Sequence, residues 1–404
     1  MDRLHNTIRP YAWGSRTAIA ELTGRRPGSE PEAELWMGAH PGDPSRLDRG
    51  DGLVGLDAVI AADPEAELGR PTVERFGQTL PFLFKILAAG EPLSIQVHPN
   101  LEQARAGFAD EESRGVPLDA RQRNYKDPNH KPEAICALTP FTGLCGFRSP
   151  AAAAELLELL DVDELAPVVG ALRTQPANEA LRQALVQILG LAAADAARIV
   201  PRAAAALREA AVAAEKAGDH ERAVELADYA DVEKSFPGDV GVLAGLLLNH
   251  VRLVPGQALY LGAGVPHAYL HGLGVELMAN SDNVLRAGLT PKHIDVPELL
   301  KVTLFEPQAP AVLRPEPVPD GHGEQLYPCP IDEFRLSRYQ GGTDRIPTET
   351  PQILLCTAGT VELRDATGAQ LTLRPGESAF LPAGAPAPEA VGPDSTLFRA
   401  TVRL

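Results

Sequence analysis

Two stretches of this chain, 120 residues apart, carry the same pattern. Pro255-Gly256-Gln257-Ala258-Leu259-Tyr260-Leu261-Gly262-Ala263-Gly264-Val265-Pro266-His267-Ala268 recurs as Pro375-Gly376-Glu377-Ser378-Ala379-Phe380-Leu381-Pro382-Ala383-Gly384-Ala385-Pro386-Ala387-Pro388. Each copy reads as a Pro-Gly turn, a short strand, a second tight turn and another strand. That is a piece of a jelly-roll barrel, in which short strands fold back over a lined mouth. The copies differ at the end, where His267 stands in the first and Ala387 in the second. If a metal is held, the first copy holds it and the C-terminal barrel has none.

The rest of the chain changes character twice. Residues 1 to about 150 read as mostly β. Residues 80–87 are apolar except for Lys85, as in a buried strand, and Glu34-Leu35-Trp36-Met37-Gly38 reads as another. Helices are expected around 55–62 and 101–108, the second with Asn100 as N-cap and Gln103 at the capping-box position. From 150 to about 235 the residues are Ala, Leu and Glu at helical spacing, punctuated by Pro176, Pro201 and Pro237. Four or five helices are expected there, with none of the residue types that chemistry needs. At 404 residues, two or three domains are the natural reading. The net charge of -17 excludes a nucleic-acid surface, which needs a basic stripe. No run of about 18 apolar residues predicts a membrane span, and the first residues show no apolar signal segment. Four cysteines without a CxxC pair fit a reducing cytoplasm, with Cys136 and Cys145 as buried thiols.

The stretch Ser94-Ile95-Gln96-Val97-His98-Pro99 is the place for chemistry. On a strand, Gln96 and His98 point to one face. By themselves they also fit a hydrogen-bonded core pair. Glu133, at the entrance of a strand over 132–138, and His267 complete a set of two imidazoles, a carboxylate and an amide oxygen. Such a set suits Zn²⁺ or another divalent first-row ion, and ligand type alone leaves copper and iron open. The absence of a thiolate favours an accessible site over a closed structural one. Arg286, in apolar surroundings, either pairs with Glu276 or Asp282 or faces the cavity toward an anion. The basic loop at 112–132, with Arg121, Arg123, Tyr125, Lys126, His130 and Lys131, reads equally well as solvated or functional. His271 and His293 are expected at the surface and His250 in the core.

Six segments carry a resemblance: Tyr-Ala-Trp-Gly at 11–14, Glu-Leu-Trp-Met-Gly at 34–38, Pro-Leu-Ser-Ile-Gln-Val-His-Pro at 92–99, His-Lys-Pro-Glu at 130–133, Pro-His-Ala-Tyr at 266–269 and Ser-Asp-Asn-Val-Leu-Arg-Ala-Gly-Leu-Thr-Pro-Lys at 281–292. In combination the chain resembles the type I mannose-6-phosphate isomerase, or phosphomannose isomerase, family. The resemblance implies a mainly β fold with α, a cupin-type (jelly-roll) double barrel with an all-helical insertion. Residues 1–149 and 239–310 would form the catalytic barrel, 150–238 the insertion, and 311–404 a C-terminal barrel without a metal. It implies one Zn²⁺ per chain, held by Gln96, His98, Glu133 and His267, and an active-site arginine at Arg286. Trp13, Lys85, Ser94 and Lys131 would handle substrate, and the chain departs from the pattern at none of the carried-over positions.

The activity implied is interconversion of mannose 6-phosphate and fructose 6-phosphate through a cis-enediol. Glu276, His130 and Lys131 are the available proton carriers, and Lys85 or the basic loop, with Ser94, would meet the phosphate. The expected partner is therefore a small-molecule sugar phosphate, with no nucleic acid and no membrane. The sequence leaves the oligomeric state open, a monomer being compatible. Two rivals come from other classes: a metal-dependent cupin oxygenase, and a non-catalytic sugar-phosphate-binding cupin. The amide ligand and the phosphate-suited cations weigh against the first, and the intact quartet and Arg286 against the second.

Overall fold

A computed structural model describes residues 1–319 and 321–404. The strand Phe82–Ala89 is buried along its whole length because it is covered on both faces. Lys85, Leu87 and Ala89 point into one barrel. Phe84, Ile86 and Ala88 point outward, into a core that also contains Phe380, Phe398 and Leu355 of the C-terminal sheet. This alternation of apolar side chains on a near-continuous hydrophobic strand joins the two barrels through one shared core.

The larger sheet orders its main strands Val312–Leu313, Ala258–Leu261, Glu133–Ala137, His267–Ala279, Phe82–Ala89, Glu34–Gly38 and Thr7–Arg9. The long strand His267–Ala279 belongs to two layers. Its last eight residues, from Gly272, pair with Phe82–Ala89. Its first residues pair instead with Phe141–Phe147 and, at His267, with Gln96. The bend falls at Gly272, whose φ is +130°; a Cβ there would lie 2.7 Å from the Phe141 ring. Glycine is needed both for the dihedral and for the close approach.

The second sheet contains Ser378–Leu381, Gln352–Ala358, Thr396–Thr401 and Arg335–Gln340, and the N-terminal strand Asp2–Leu4 closes on it by pairing with Ser378–Leu381. The duplicated motif has one backbone conformation in both places. Gly256 and Gly376 have φ of +88° and +85°, and Gly264 and Gly384 have +78° and +73°.

The helices run over Pro150–Glu158, Ala166–Thr174, Ala177–Leu189, Ala193–Lys216 and His220–Ser235, followed by the short Gly241–Gly245. Pro201 does not punctuate this block; it lies inside Ala193–Lys216. Its ring is on the solvent side, while Ile199, Val200, Ala203 and Ala204 on the opposite face are fully buried. Packing of that face outweighs the single hydrogen bond the proline forfeits. The helices share a core with Val97, Leu285, Ala268 and Leu270, so they cover the back of the small layer. The alternate residues Gln96, Arg286 and His267 are thereby turned to its front. No single helix among the described residues is long and apolar enough to cross a membrane. The capping box at Asn100 and Gln103 forms, and its helix runs over Leu101–Ser113, longer than its apolar spacing suggests.

Candidate metal centre

Three strands bring the ligand candidates together. Gln96 lies opposite His267 on one side and Arg286 on the other, giving a row of three side chains on one face. His98 follows Gln96–Val97 directly, and Glu133 opens the strand Glu133–Ala137. Ligand atoms of His98, Glu133 and His267 all lie within 4.8 Å of one another, and all three residues are buried. Glu133 Oε2 is 3.5 Å from His98 Nε2 and 3.3 Å from His267 Nε2. Gln96 lines the same cavity, of about 50 Å³, together with Ser94, Lys131 and Glu276.

The protonation states follow from the neighbours. His98 Nδ1 is 2.8 Å from the Asn283 carbonyl, and His267 Nδ1 is 3.0 Å from the Val265 carbonyl. A carbonyl only accepts, so each Nδ1 carries a proton and each Nε2 is the atom left to face Glu133. Buried His98 Nε2 has no hydrogen-bond partner. Nε2 of both imidazoles thus faces one carboxylate oxygen, a donor set that suits a divalent cation. Burial, then the charge of Lys131, pushes the His98 pKa down to about 4, so the ring stays neutral and able to ligate. Burial would raise the Glu133 carboxyl, but the charge of Lys131 leads the opposing effects and holds the carboxyl well below its ordinary range.

Beside the triad lies a buried ionic chain. Lys85 Nζ donates to Glu276 Oε2 at 3.0 Å and sits 3.5 Å from Glu34 Oε1. Trp36 Nε1 donates to the other Glu34 oxygen at 2.7 Å. Burial opposes the charge on Lys85, yet Glu276 and Glu34 outweigh it and keep the ammonium protonated above its ordinary range. Burial pushes the Glu276 carboxyl up, against the pull of Lys85. Lys131 donates to Glu133.

Arg286 makes neither of the ion pairs its surroundings suggest, since Glu276 is bonded to Lys85 and Asp282 faces His40 at 3.4 Å. Half-buried, it stands in the row with Gln96, and burial lowers its pKa. Trp13 is half-buried, packed with Val265 against the core that holds Leu93.

The structure does not bring His130 into this group. Its Nε2 is 2.6 Å from Glu333 of the C-terminal barrel, in a separate pocket with Asn129 and Asn280. On the extended stretch that enters Glu133–Ala137, His130 alternates with Lys131 and Glu133 and so leaves by the other face. Much of the basic loop is structural: buried Arg123 binds the Tyr125 carbonyl, Glu111 and Glu112, and the Tyr125 hydroxyl reaches Glu298. His250 pairs with Asp228, and His271 and His293 are exposed. Glu34, Trp36, His40 and Asn283 were not singled out from sequence. The alternation of Glu34 and Trp36 beside buried Lys85 was the available signal for the first two.

A family profile described as phosphomannose isomerase type I, catalytic domain, matches residues 1–150. The mannose-6-phosphate isomerase of Escherichia coli is 43% identical over 388 residues, covering 95% of each chain. This chain belongs to the type I phosphomannose isomerase family. The mannose-6-phosphate isomerase of Bos taurus is 34% identical, covering 93% of this chain and 91% of its own. A zinc-bound crystal structure of a mannose 6-phosphate isomerase superimposes with a TM-score of 0.88 at 40% identity, covering 100% of this chain and 99% of the other. The Salmonella typhimurium enzyme bound to its substrate fructose 6-phosphate and zinc gives 0.87 at 40% identity, with both chains covered in full. The cupin-type double barrel of this family is thus the fold, one zinc per chain fits the triad, and membership removes the oxygenase reading.

Proposed function

We propose that the chain interconverts D-mannose 6-phosphate and D-fructose 6-phosphate by moving a proton between C2 and C1 through a cis-enediol. The observation that carries this is the convergence of two imidazoles and an ionised carboxylate beside Arg286 and Lys131, in a family whose relatives bear that activity. The sugar C2–H is a poor acid in water, so a catalyst must stabilise oxygen charge as the proton leaves. Zinc, held by His98, Glu133, His267 and Gln96, supplies Lewis acidity for that charge when bound. Arg286, unpaired and on the face shared with Gln96, adds a fixed positive charge. Lys85 stays an ammonium between two carboxylates; it holds Glu276 in place and has little left to offer a phosphate. Glu276, its carboxyl raised by burial, is the better-placed general base, with Lys131 next to it and His130 excluded by direction. Ser94 and Trp13 guard the rim where a sugar phosphate enters. Four unpaired thiols, three of them buried, support a cytoplasmic address.

The test is a coupled assay of mannose 6-phosphate formation from fructose 6-phosphate, run on zinc-loaded protein and on His267→Ala. Loss of a ligand should weaken zinc retention more than the about 10–100-fold that follows loss of an outer partner, and activity should vanish with the metal. Full activity in metal-stripped His267→Ala would overturn the assignment.

A further inference from the structure

Asn283 touches no ligand atom with its side chain, is fully buried, and is the residue on which the site's two halves meet. Its main-chain carbonyl accepts the proton of His98 Nδ1. Its side-chain amide is turned to the other half. Oδ1 accepts the backbone N–H of Lys126 at 2.7 Å and of Asp127 at 3.3 Å. Nδ2 donates to the carbonyls of Asp127 at 2.7 Å and Asn129 at 2.8 Å. All four hydrogen-bonding positions of the amide are thus filled by main-chain groups of residues 126–129, a segment with no strand or helix pairing of its own.

Neighbouring bonds tighten the same joint. Ser281 Oγ accepts the Asn283 N–H at 3.2 Å and donates to the Asn129 carbonyl at 3.1 Å. The Asp127 carboxylate accepts the N–H of Asp282 at 2.8 Å. Residues 126–129 lead without a break through Lys131 to Glu133, and three residues after Asn283 comes Arg286, opposite Gln96.

We propose that Asn283 is a positioning residue that couples zinc ligation at His98 to the ordering of the 126–129 loop, and through it to the placement of Lys131 and Glu133. One residue cannot shift its carbonyl away from His98 without dragging its amide across the loop, and the reverse holds too. Metal binding and loop order then share one free energy, and each must strengthen the other equally. The inference rests on the reading of the triad and Gln96 as a zinc site.

Asn283→Asp is the sharpest variant. It keeps the main-chain carbonyl, the shape and one acceptor oxygen. It replaces the two-proton donor with an oxygen facing two carbonyls, and 3.4 Å from Asp127 Oδ1. Zinc affinity, read by competition with a chromophoric chelator, should fall about 10–100-fold although no ligand has changed. Amide hydrogen exchange on the wild-type protein gives a readout that needs no variant to fold. Zinc loading should slow exchange at Lys126 and Asp127 at least about 10-fold, with no change in the 193–216 helix.

A folded Asn283→Asp protein with unaltered zinc affinity, or exchange at Lys126 indifferent to bound zinc, would overturn the coupling while leaving the metal site intact. Wild-type protein that takes up no zinc would overturn the metal reading itself, and the coupling with it.

Discussion

At the scale of single residues, the centre is defined by what each side chain cannot do elsewhere. His98 and His267 have spent their Nδ1 protons on carbonyls, Glu133 is kept ionised, and among the described residues Arg286 has found no carboxylate. A half-buried guanidinium on the strand face it shares with Gln96, with no ion pair among the described residues, is suited to charge that exists only during reaction. Arg286→Ala should therefore lower kcat about 100–1000-fold, as loss of one oxyanion donor does, with KM moved only a few-fold. Steady-state kinetics at saturating zinc decide it, and a change confined to KM would make Arg286 a binding residue instead. The ligand types were legible in the sequence because two imidazoles, a carboxylate and an amide stand in short, chemically suggestive segments. Directions were less legible. His130 sits one position from Lys131 yet faces Glu333, and Lys85 looks like a free cation until its two carboxylates are seen. Both depend on partners 51 to 203 residues away in sequence, which no local pattern reveals.

At the scale of elements, the decisive one is the strand His267–Ala279, whose first residue belongs to the triad and whose tenth, Glu276, reaches Lys85. Only its bend at Gly272 lets one strand serve two layers. Gly272→Ala adds a Cβ at 2.7 Å from Phe141 in a backbone conformation that L-residues avoid. The variant should lose roughly 2–5 kcal/mol of stability from strain and overpacking, measured by denaturant unfolding of the metal-free protein. A loss below about 1 kcal/mol would mean that the strand can bend elsewhere. The sequence hides this element, since glycines at 272 and 274 read as interruptions of a β pattern when they are the means of continuing it. The helix through Pro201 is the converse case, where a local breaker yields to a buried face that only the tertiary structure supplies.

At the scale of the whole molecule, the duplicated Pro-Gly motif foretold two barrels, and the shared core through Phe84, Ile86, Phe380 and Phe398 explains why they stay together. At the edge of that contact, His130 meets Glu333 at 2.6 Å and Arg75 meets Asp332 at 2.5 Å. Burial would raise the Glu333 carboxyl, but His130 outweighs it and the net shift is downward. A depressed folded pKa means stability that is present above the unfolded carboxyl value and lost as pH falls through the folded one. Glu333→Gln should cost about 1 kcal/mol near neutral pH, and the gap to wild type should close in acid, as pH falls below the ordinary carboxylate range. A gap that persists unchanged at low pH would show that the ionised pair contributes nothing.

The proposed convergence of Gln96, His98, Glu133 and His267 on one ion underlies every functional claim, and zinc-edge anomalous diffraction from crystals grown with equimolar zinc tests it most directly. One peak is predicted about 2.0–2.2 Å from Nε2 of each histidine and from an oxygen of Glu133 and of Gln96. A peak lying elsewhere, or bound without His98 and His267, would contradict it.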